Sequence, residues 1–362
     1  VFRYAKNCIE NARKRIELVI ANLDSMTAEL KNSEMVFLLI EALRESMNTT
    51  KLTPKLETAV REFDQWWDDE QKALSLLNKV SAPLYHYTDA AGLAGIIRSQ
   101  EIWFTSAYHL NDPSEFTYGT NLAIEVLEEC KVGTNEIIQK FCDHHVSVLR
   151  DRFEDMFGFY VSCFSYRAND LGQWRAYGDN GRGFSLGLAP RLFDVSEELK
   201  LQTRELAFIG KVSYSREQTV KLMRSAATKA LDIIEEALPT IDSDKQLSLF
   251  LQEMSVTLSV PFIWYAITSK HFAYANEDEV RLILLNSSKL LAPEIEFRTR
   301  GSNLIPFIRS PLAVKSTNSI VEIVVGPSAD PTAEDSIRTL LYSQGLPIDL
   351  PIRRSDIPYR AR

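Results

Sequence analysis

Three groups of side chains in this 362-residue chain have the types and the spacing to do chemistry. The first lies in Leu84-Tyr85-His86-Tyr87-Thr88, an alternating segment. It puts Leu84, His86 and Thr88 on one face and the tyrosines on the other. His86 is either a satisfied core histidine or part of a cleft wall. The second is Trp174 and Tyr177, one helical turn apart just before the turn Gly178-Asp179-Asn180-Gly181. Their rings are either paired core aromatics or a stacking wall for a flat heterocycle. The third is Glu277-Asp278-Glu279-Val280-Arg281. If 275–285 is extended throughout, Glu277, Glu279 and Arg281 share one face. Carboxylates so spaced form a solvated strand edge or place one carboxylate over a sugar.

Other reactive types are set aside on spacing. Cys142, His144 and His145 fall on one amphipathic stretch, 135–152, but residues two apart on a helix point apart and no fourth ligand is evident. Cys163 sits in Phe-Tyr-Val-Ser-Cys-Phe-Ser, an apolar setting that suits an inert core thiol. The glycines at 178, 181 and 183 make neither a dinucleotide fingerprint nor a P-loop.

The elements that must position these groups can be read from periodicity. After the strand at 84–88, Asp89 is placed to cap a short helix carrying Leu93, Ile96 and Ile97 and ending near Ser99. A second strand follows at 102–105. The run Asn111-Asp112-Pro113-Ser114-Glu115 then opens another helix, with Asp112 as cap, Pro113 in the first turn and Glu115 returning to the cap. Amphipathic helices are expected at 121–129 and 135–152, and strands at 159–165, 184–188, 211–214, 275–285 and 320–325. A long helical insertion runs over about 216–269, broken at Pro239 and near Pro261. A helix at 333–343 and an extended tail at 346–359 close the chain.

Residues 1–82 read as all helical. An apolar stripe of Ile9, Ile16, Val19, Ile20 and Leu23 is followed by helices at 33–46 and 54–79, and glycine does not occur before Gly92. The stripe serves as the core of a helical bundle, or as a face for a partner or self-association. The expectation is an α+β chain: a helical N-terminal module at 1–82 and a second domain at 83–362 containing the insertion.

Composition narrows the partners. Hydrophobic residues are 45% and charged residues 25%, ordinary values for a globular protein. The net charge of −8 gives no global basic field to recruit nucleic acid, although a local basic groove remains compatible with it. Four cysteines without CxxC spacing fit a reducing interior and a cytoplasmic location. Met35–Ile40 is the densest apolar patch, and no run approaches the length of a bilayer span.

Taken together, Tyr-His-Tyr-Thr at 85–88, Leu-Asn-Asp-Pro-Ser-Glu-Phe at 110–116, the 172–188 segment, Glu-Asp-Glu-Val-Arg-Leu-Ile-Leu at 277–284 and Ser-Asp-Ile-Pro-Tyr-Arg at 355–360 resemble a bacterial domain-of-unknown-function family, number twenty-nine seventy-one. The resemblance runs over roughly 84–359. That family in turn resembles a distant branch of the ADP-ribosyltransferase superfamily. The resemblance implies a split β-sheet core and NAD as substrate, with no metal. It implies that His86, Tyr87 and Thr88 hold the ribose, that Asn111 and Asp112 lie near the nucleotide, and that Trp174 or Tyr177 stacks on nicotinamide. Glu279, with Glu277 and Arg281, is implied as the catalytic group. The implied activity is transfer of ADP-ribose to a macromolecule, nucleic acid or protein, as in a bacterial toxin or phage-defence effector. NAD hydrolysis and a non-catalytic nucleotide-binding scaffold are the alternatives.

Overall fold

The computed structural model describes residues 51–77, 79–110, 114–151, 158–193, 207–286, 295–312 and 319–361. The stripe at 9–23, the helix at 33–46, Met35–Ile40, Asn111 and Asp112 fall outside them.

Strand β3 (Gly158–Ser165) is the spine of the sheet. Its β-branched and aromatic residues alternate between two cores: Phe159 and Val161 face a helical layer, while Tyr160 and Phe164 face the other side. Along one edge it pairs through its whole length with β6 (Glu279–Asn286), antiparallel, from Gly158↔Asn286 to Ser165↔Glu279. The other edge is shared. β1 (Leu84–Thr88) meets β3 at Tyr85↔Ser165, and β2 (Glu101–Ser106) meets it at Thr105↔Val161 and Ser106↔Tyr160. Between those contacts β1 and β2 diverge, so β3 is left without a strand partner on that edge around 162–164. The sheet is split there.

From the split, β1 continues through β4 (Phe184–Leu188) and β9 (Ile320–Val325) to β10 (Ile352–Arg354). On the other side β2 continues through β8 (Asn303–Pro311) to β7 (Glu296–Arg300), and β5 (Ala207–Lys211) pairs with β6. The result is a ten-stranded, largely open mixed sheet, the parallel pair being β9 and β10. The α+β expectation holds at this level.

The connection between β1 and β2 is α1 (Ala90–Ser99), started by Asp89, whose Oδ1 accepts the Gly92 N–H at 2.7 Å. Leu93, Ile96 and Ile97 bury its inner face, as their spacing predicts. The helical layer on the opposite side contains α2 (Pro54–Leu77), α3 (Ser114–Cys130), α4 (Glu136–Asp151), α5 (Arg216–Ala237) and α6 (Asp244–Ile267). Leu56, Val60, Phe63 and Trp67 of α2 belong to the same core as Met223, Phe250 and Phe262, so α2 is sealed into the layer built by the insertion. Trp67 meets Tyr265 edge to face at 5.7 Å.

Three expected details differ. The strand at 275–285 starts only at Glu279, because Phe272–Glu277 forms a 3-10 turn. The helix does not break at Pro261, since Phe262, Trp264, Tyr265 and Ile267 are buried and packing sustains α6 across the missing N–H. The strand expected at 211–214 is β5, displaced to Ala207–Lys211, with Ser213 making only an isolated bridge to Ser269.

The membrane expectation also needs correction: α6 is long and apolar enough to cross a bilayer by length and composition. Its environment is protein, however, with Phe250, Met254 and Leu258 buried among α2, α3 and α5. At Gly119 of α3, an added Cβ would lie 2.3 Å from the Ala266 Cα, so α3 and α6 touch backbone to backbone near the end of α6.

Candidate functional site

A cavity of about 1140 Å³ opens at the split. Its walls include His86 and Thr88 from β1, Val161–Phe164 from β3 where β1 and β2 part, Tyr177, Lys270 and Glu277 from the segment joining α6 to β6, and Glu279 at the start of β6. Residues nearly two hundred positions apart therefore share one space because β1 and β6 flank the same strand.

His86 occupies the place a strand neighbour would have taken. Its Nδ1 lies 3.0 Å from the Cys163 carbonyl. A carbonyl can only accept, so Nδ1 carries the proton, and in the neutral ring Nε2 is left as an acceptor. Burial pushes the imidazole pKa down against the effect of that hydrogen bond, and the nearby Arg298 charge lowers it further. The ring packs at 5.6 Å from Phe164.

The acidic pair is built differently from the sequence expectation. Glu277 ends the 3-10 turn, and Asp278 adopts a left-handed conformation with φ 43° and ψ 54°. Asp tolerates this region better than most residues. The turn breaks strand alternation, and the two carboxylates converge on Lys270 instead. Lys270 Nζ lies 2.6 Å from Glu277 Oε2 and 3.4 Å from Glu279 Oε2, and 4.6 Å from the centre of the Tyr274 ring. Ser165 Oγ donates to the Glu277 carbonyl at 2.5 Å, fixing the turn to the end of β3.

Glu279 is buried and gripped by Arg281, whose Nε and one terminal nitrogen donate to its two oxygens at 2.7 and 3.0 Å. The other terminal nitrogen donates to the Ile267 carbonyl at the C-terminus of α6, at 2.7 Å. The Glu279 N–H donates to the Tyr214 hydroxyl at 3.0 Å. Burial alone would raise the carboxyl pKa. The charge and hydrogen bonds of Arg281, with Lys270 and a hydrogen bond from the Cys163 thiol, outweigh it and hold the group down at about 2. Glu279 lines the cavity and Arg281 does not, so the negative end of the pair faces the open space.

The aromatic pair separates. Tyr177 is half-buried on the cavity wall, and its hydroxyl donates to Glu277 Oε1 at 3.2 Å; burial raises the phenol pKa and keeps that proton in place. Trp174 is fully buried, with Nε1 donating to Asn169 Oδ1 at 2.8 Å and its ring edge-on to Tyr87 at 4.8 Å. This corrects the expectation that either ring can stack on a ligand: the Trp174 ring is core. Tyr87 is also largely structural, since its hydroxyl donates to the Arg167 carbonyl at 2.7 Å and accepts from the Asp170 N–H. Arg281 is not available to a phosphate because Glu279 and Ile267 occupy its guanidinium.

Lys270, Tyr214 and Cys163 were missed from the sequence. Lys270 stands in a segment without periodicity, Tyr214 ends the strand expected at 211–214 with nothing local to mark its hydroxyl, and the apolar setting of Cys163 points to inert core. Cys163 is half-buried and lines the cavity, with its carbonyl bonded to His86 and its thiol bonded to Glu279. Of the helical cluster, His145 is buried against Ser255 and Cys142 lies in the core, while His144 is exposed.

A family model described as a protein of unknown function (DUF2971) matches residues 173–282. The matched segment is narrower than the 84–359 expected; it carries Tyr177, Lys270, Glu277, Glu279 and Arg281, and β1 with His86 lies before it. No curated protein and no solved structure matches the chain.

Proposed function

We propose that this chain is an NAD-dependent ADP-ribosyltransferase acting on a macromolecular acceptor, with an ADP-ribosyltransferase-like arrangement around its split sheet. The observation that carries the proposal is the gathering of His86, Tyr177, Glu277 and Glu279 on one cavity. Its volume exceeds the roughly 300–1,000 Å³ of drug-sized sites, which leaves room for a dinucleotide.

The chemistry follows from the side chains. The bond between ribose C1′ and the nicotinamide nitrogen breaks, its electron pair leaves with neutral nicotinamide, and positive charge develops on the sugar. A carboxylate already ionised and held immobile stabilises that charge without reorganising at the moment of reaction. Glu279 is such a group, fixed by Arg281 and Lys270. Glu277, held by Lys270 and Tyr177 and less buried than Glu279, stands nearer the acceptor. It takes the proton that the attacking acceptor loses as its bond to C1′ forms. The His86 imidazole, neutral and with Nε2 as acceptor, receives a ribose hydroxyl. The Tyr177 ring is the stacking surface for nicotinamide.

The test is incubation of the pure chain with NAD, alone and with cell extract, following nicotinamide release and the fate of ADP-ribose. Label on RNA, DNA or protein is the expected result. Free ADP-ribose alone would make the chain a hydrolase, and no release in either condition would leave a non-catalytic nucleotide-binding scaffold.

A further inference from the structure

The cavity has a second wall whose chemistry the acidic site does not use. Antiparallel pairing puts Trp103 of β2 opposite Arg309 of β8, and Thr105 opposite Phe307. It also puts Arg298 of β7 opposite Ile305. Directly paired residues share a face, so Trp103, Arg309, Phe307 and Arg298 form one patch. Trp103 packs at 4.4 Å on the buried Phe307 ring yet remains 39% exposed. The guanidinium carbons of Arg298 and Arg309 lie 5.4 and 5.7 Å from its ring centre. Arg300 and Arg98 also line this part of the cavity.

The charges are not equivalent. Arg309 is compensated by Glu296 at 2.8 Å and Glu101 at 3.6 Å. Arg298 is half-buried and donates to Thr105 Oγ1 at 2.8 Å, and among the described residues it makes no ion pair. Burial lowers its pKa, followed by repulsion from Arg300, with Asp89 acting in the opposite sense. A partly desolvated guanidinium without a carboxylate calls for an anion. Beside an exposed indole, on a sheet face that opens into the cavity, the fitting anion is the phosphodiester of a strand whose bases can stack. In a chain of net charge −8, this local concentration of arginine is selective in its position.

We propose that the β2–β8–β7 face docks single-stranded nucleic acid and leads it toward the Glu277–Glu279 end of the cavity. This rests on the transferase reading only for its consequence, that nucleic acid is the acceptor; the docking itself needs no NAD.

Fluorescent 12-nucleotide RNA and DNA strands, and the matching duplexes, are titrated with the full chain without NAD by anisotropy at several salt concentrations. Single strands are expected to bind and to weaken with salt by a log–log slope of about −0.7 per phosphate contacted. Arg298→Ala is expected to reduce that slope by about 0.7, and Trp103→Ala to weaken binding roughly 5- to 100-fold. Arg98→Glu, at an exposed position, is the second charge variant should Arg298→Ala fail to fold. It should weaken binding likewise. No single-strand binding at 50 mM salt, equal binding of duplex, or affinity unchanged in the arginine variants would overturn the proposal. So would complete displacement of the strand by ADP-ribose, which would give Arg298 to the dinucleotide's own phosphates.

Discussion

Lys270 and Glu277 meet at 2.6 Å in a site where the lysine is only 2% exposed. Glu279 accepts from the same ammonium at 3.4 Å and from Arg281 on both oxygens. Two acids and two bases thus form one network at the mouth of β6. Such a network is tolerable in a low dielectric only while each charge keeps its partners.

Removing Lys270 should therefore cost stability as well as function. Lys270→Met leaves two carboxylates with one base and is expected to lower unfolding free energy by about 3–5 kcal/mol in urea titration. Adding Glu277→Gln to that variant should recover part of the loss. A Lys270→Met protein as stable as the parent would mean that the ammonium is solvated and does not set the carboxylate geometry.

The Glu279 carboxylate should be indispensable for bond cleavage, and its loss should also cost stability through the buried Arg281 charge it leaves behind. Glu279→Gln preserves shape and a hydrogen-bond acceptor and removes the charge. Nicotinamide release is expected to fall by at least roughly 100-fold, the scale for one electrostatic group in a transition state. Turnover at the parental rate would take Glu279 out of the mechanism.

Tyr177 and Trp174 should respond in opposite ways to alanine. Tyr177 lines the cavity, so its replacement is expected to raise KM for NAD with a modest change in Tm. Trp174 is fully buried and should cost about 3–5 kcal/mol of stability through the void it leaves. If Trp174→Ala proved the larger binding defect in a protein of unchanged Tm, the two assignments would be exchanged.

Acid should weaken the helical layer before it reaches the carboxylates. His145 is buried between Phe141 and Phe262, and burial pushes its pKa down to about 3. Its Nε2 has no hydrogen-bond partner among the described residues. Because the folded pKa lies below the unfolded value near 6.5, the unfolded chain binds the proton first. Stability is full above about pH 6.5 and falls by roughly 1.4 kcal/mol per pH unit toward pH 3. Glu279 also has a depressed folded value, so its contribution is kept above the normal carboxylate range and lost only as pH falls toward 2. Tm measured from pH 7.5 to 5 should decline in the parent, and the decline should be shallower in His145→Gln. Parallel pH profiles would show that His145 titrates normally.

The α3–α6 contact should be intolerant of a single methyl group. Gly119→Ala sets a Cβ against the Ala266 backbone and is expected to cost about 1–3 kcal/mol by overpacking, read from chemical denaturation. Since Ala266 lies four residues before Lys270, NAD cleavage should fall as well. An unchanged midpoint would mean that the helices separate without cost.

Local pattern in the sequence was enough for the elements around the site. Alternation located β1 and β2, β-branched and apolar runs located β3 and β9, and Asp89 announced α1, because these signals arise within a few residues and depend little on distant packing. Composition likewise allowed a local basic surface in an acidic chain. What the tertiary structure alone decided is where those elements meet. The left-handed turn at Asp278, the ammonium of Lys270 between two carboxylates and the burial of Trp174 behind Tyr87 have no period to betray them. The same is true of the gap between β1 and β2 that opens the cavity, since it depends on which edges of β3 are occupied. That pairing is settled by contacts between residues far apart in the chain, whose energies a reading of neighbours does not contain.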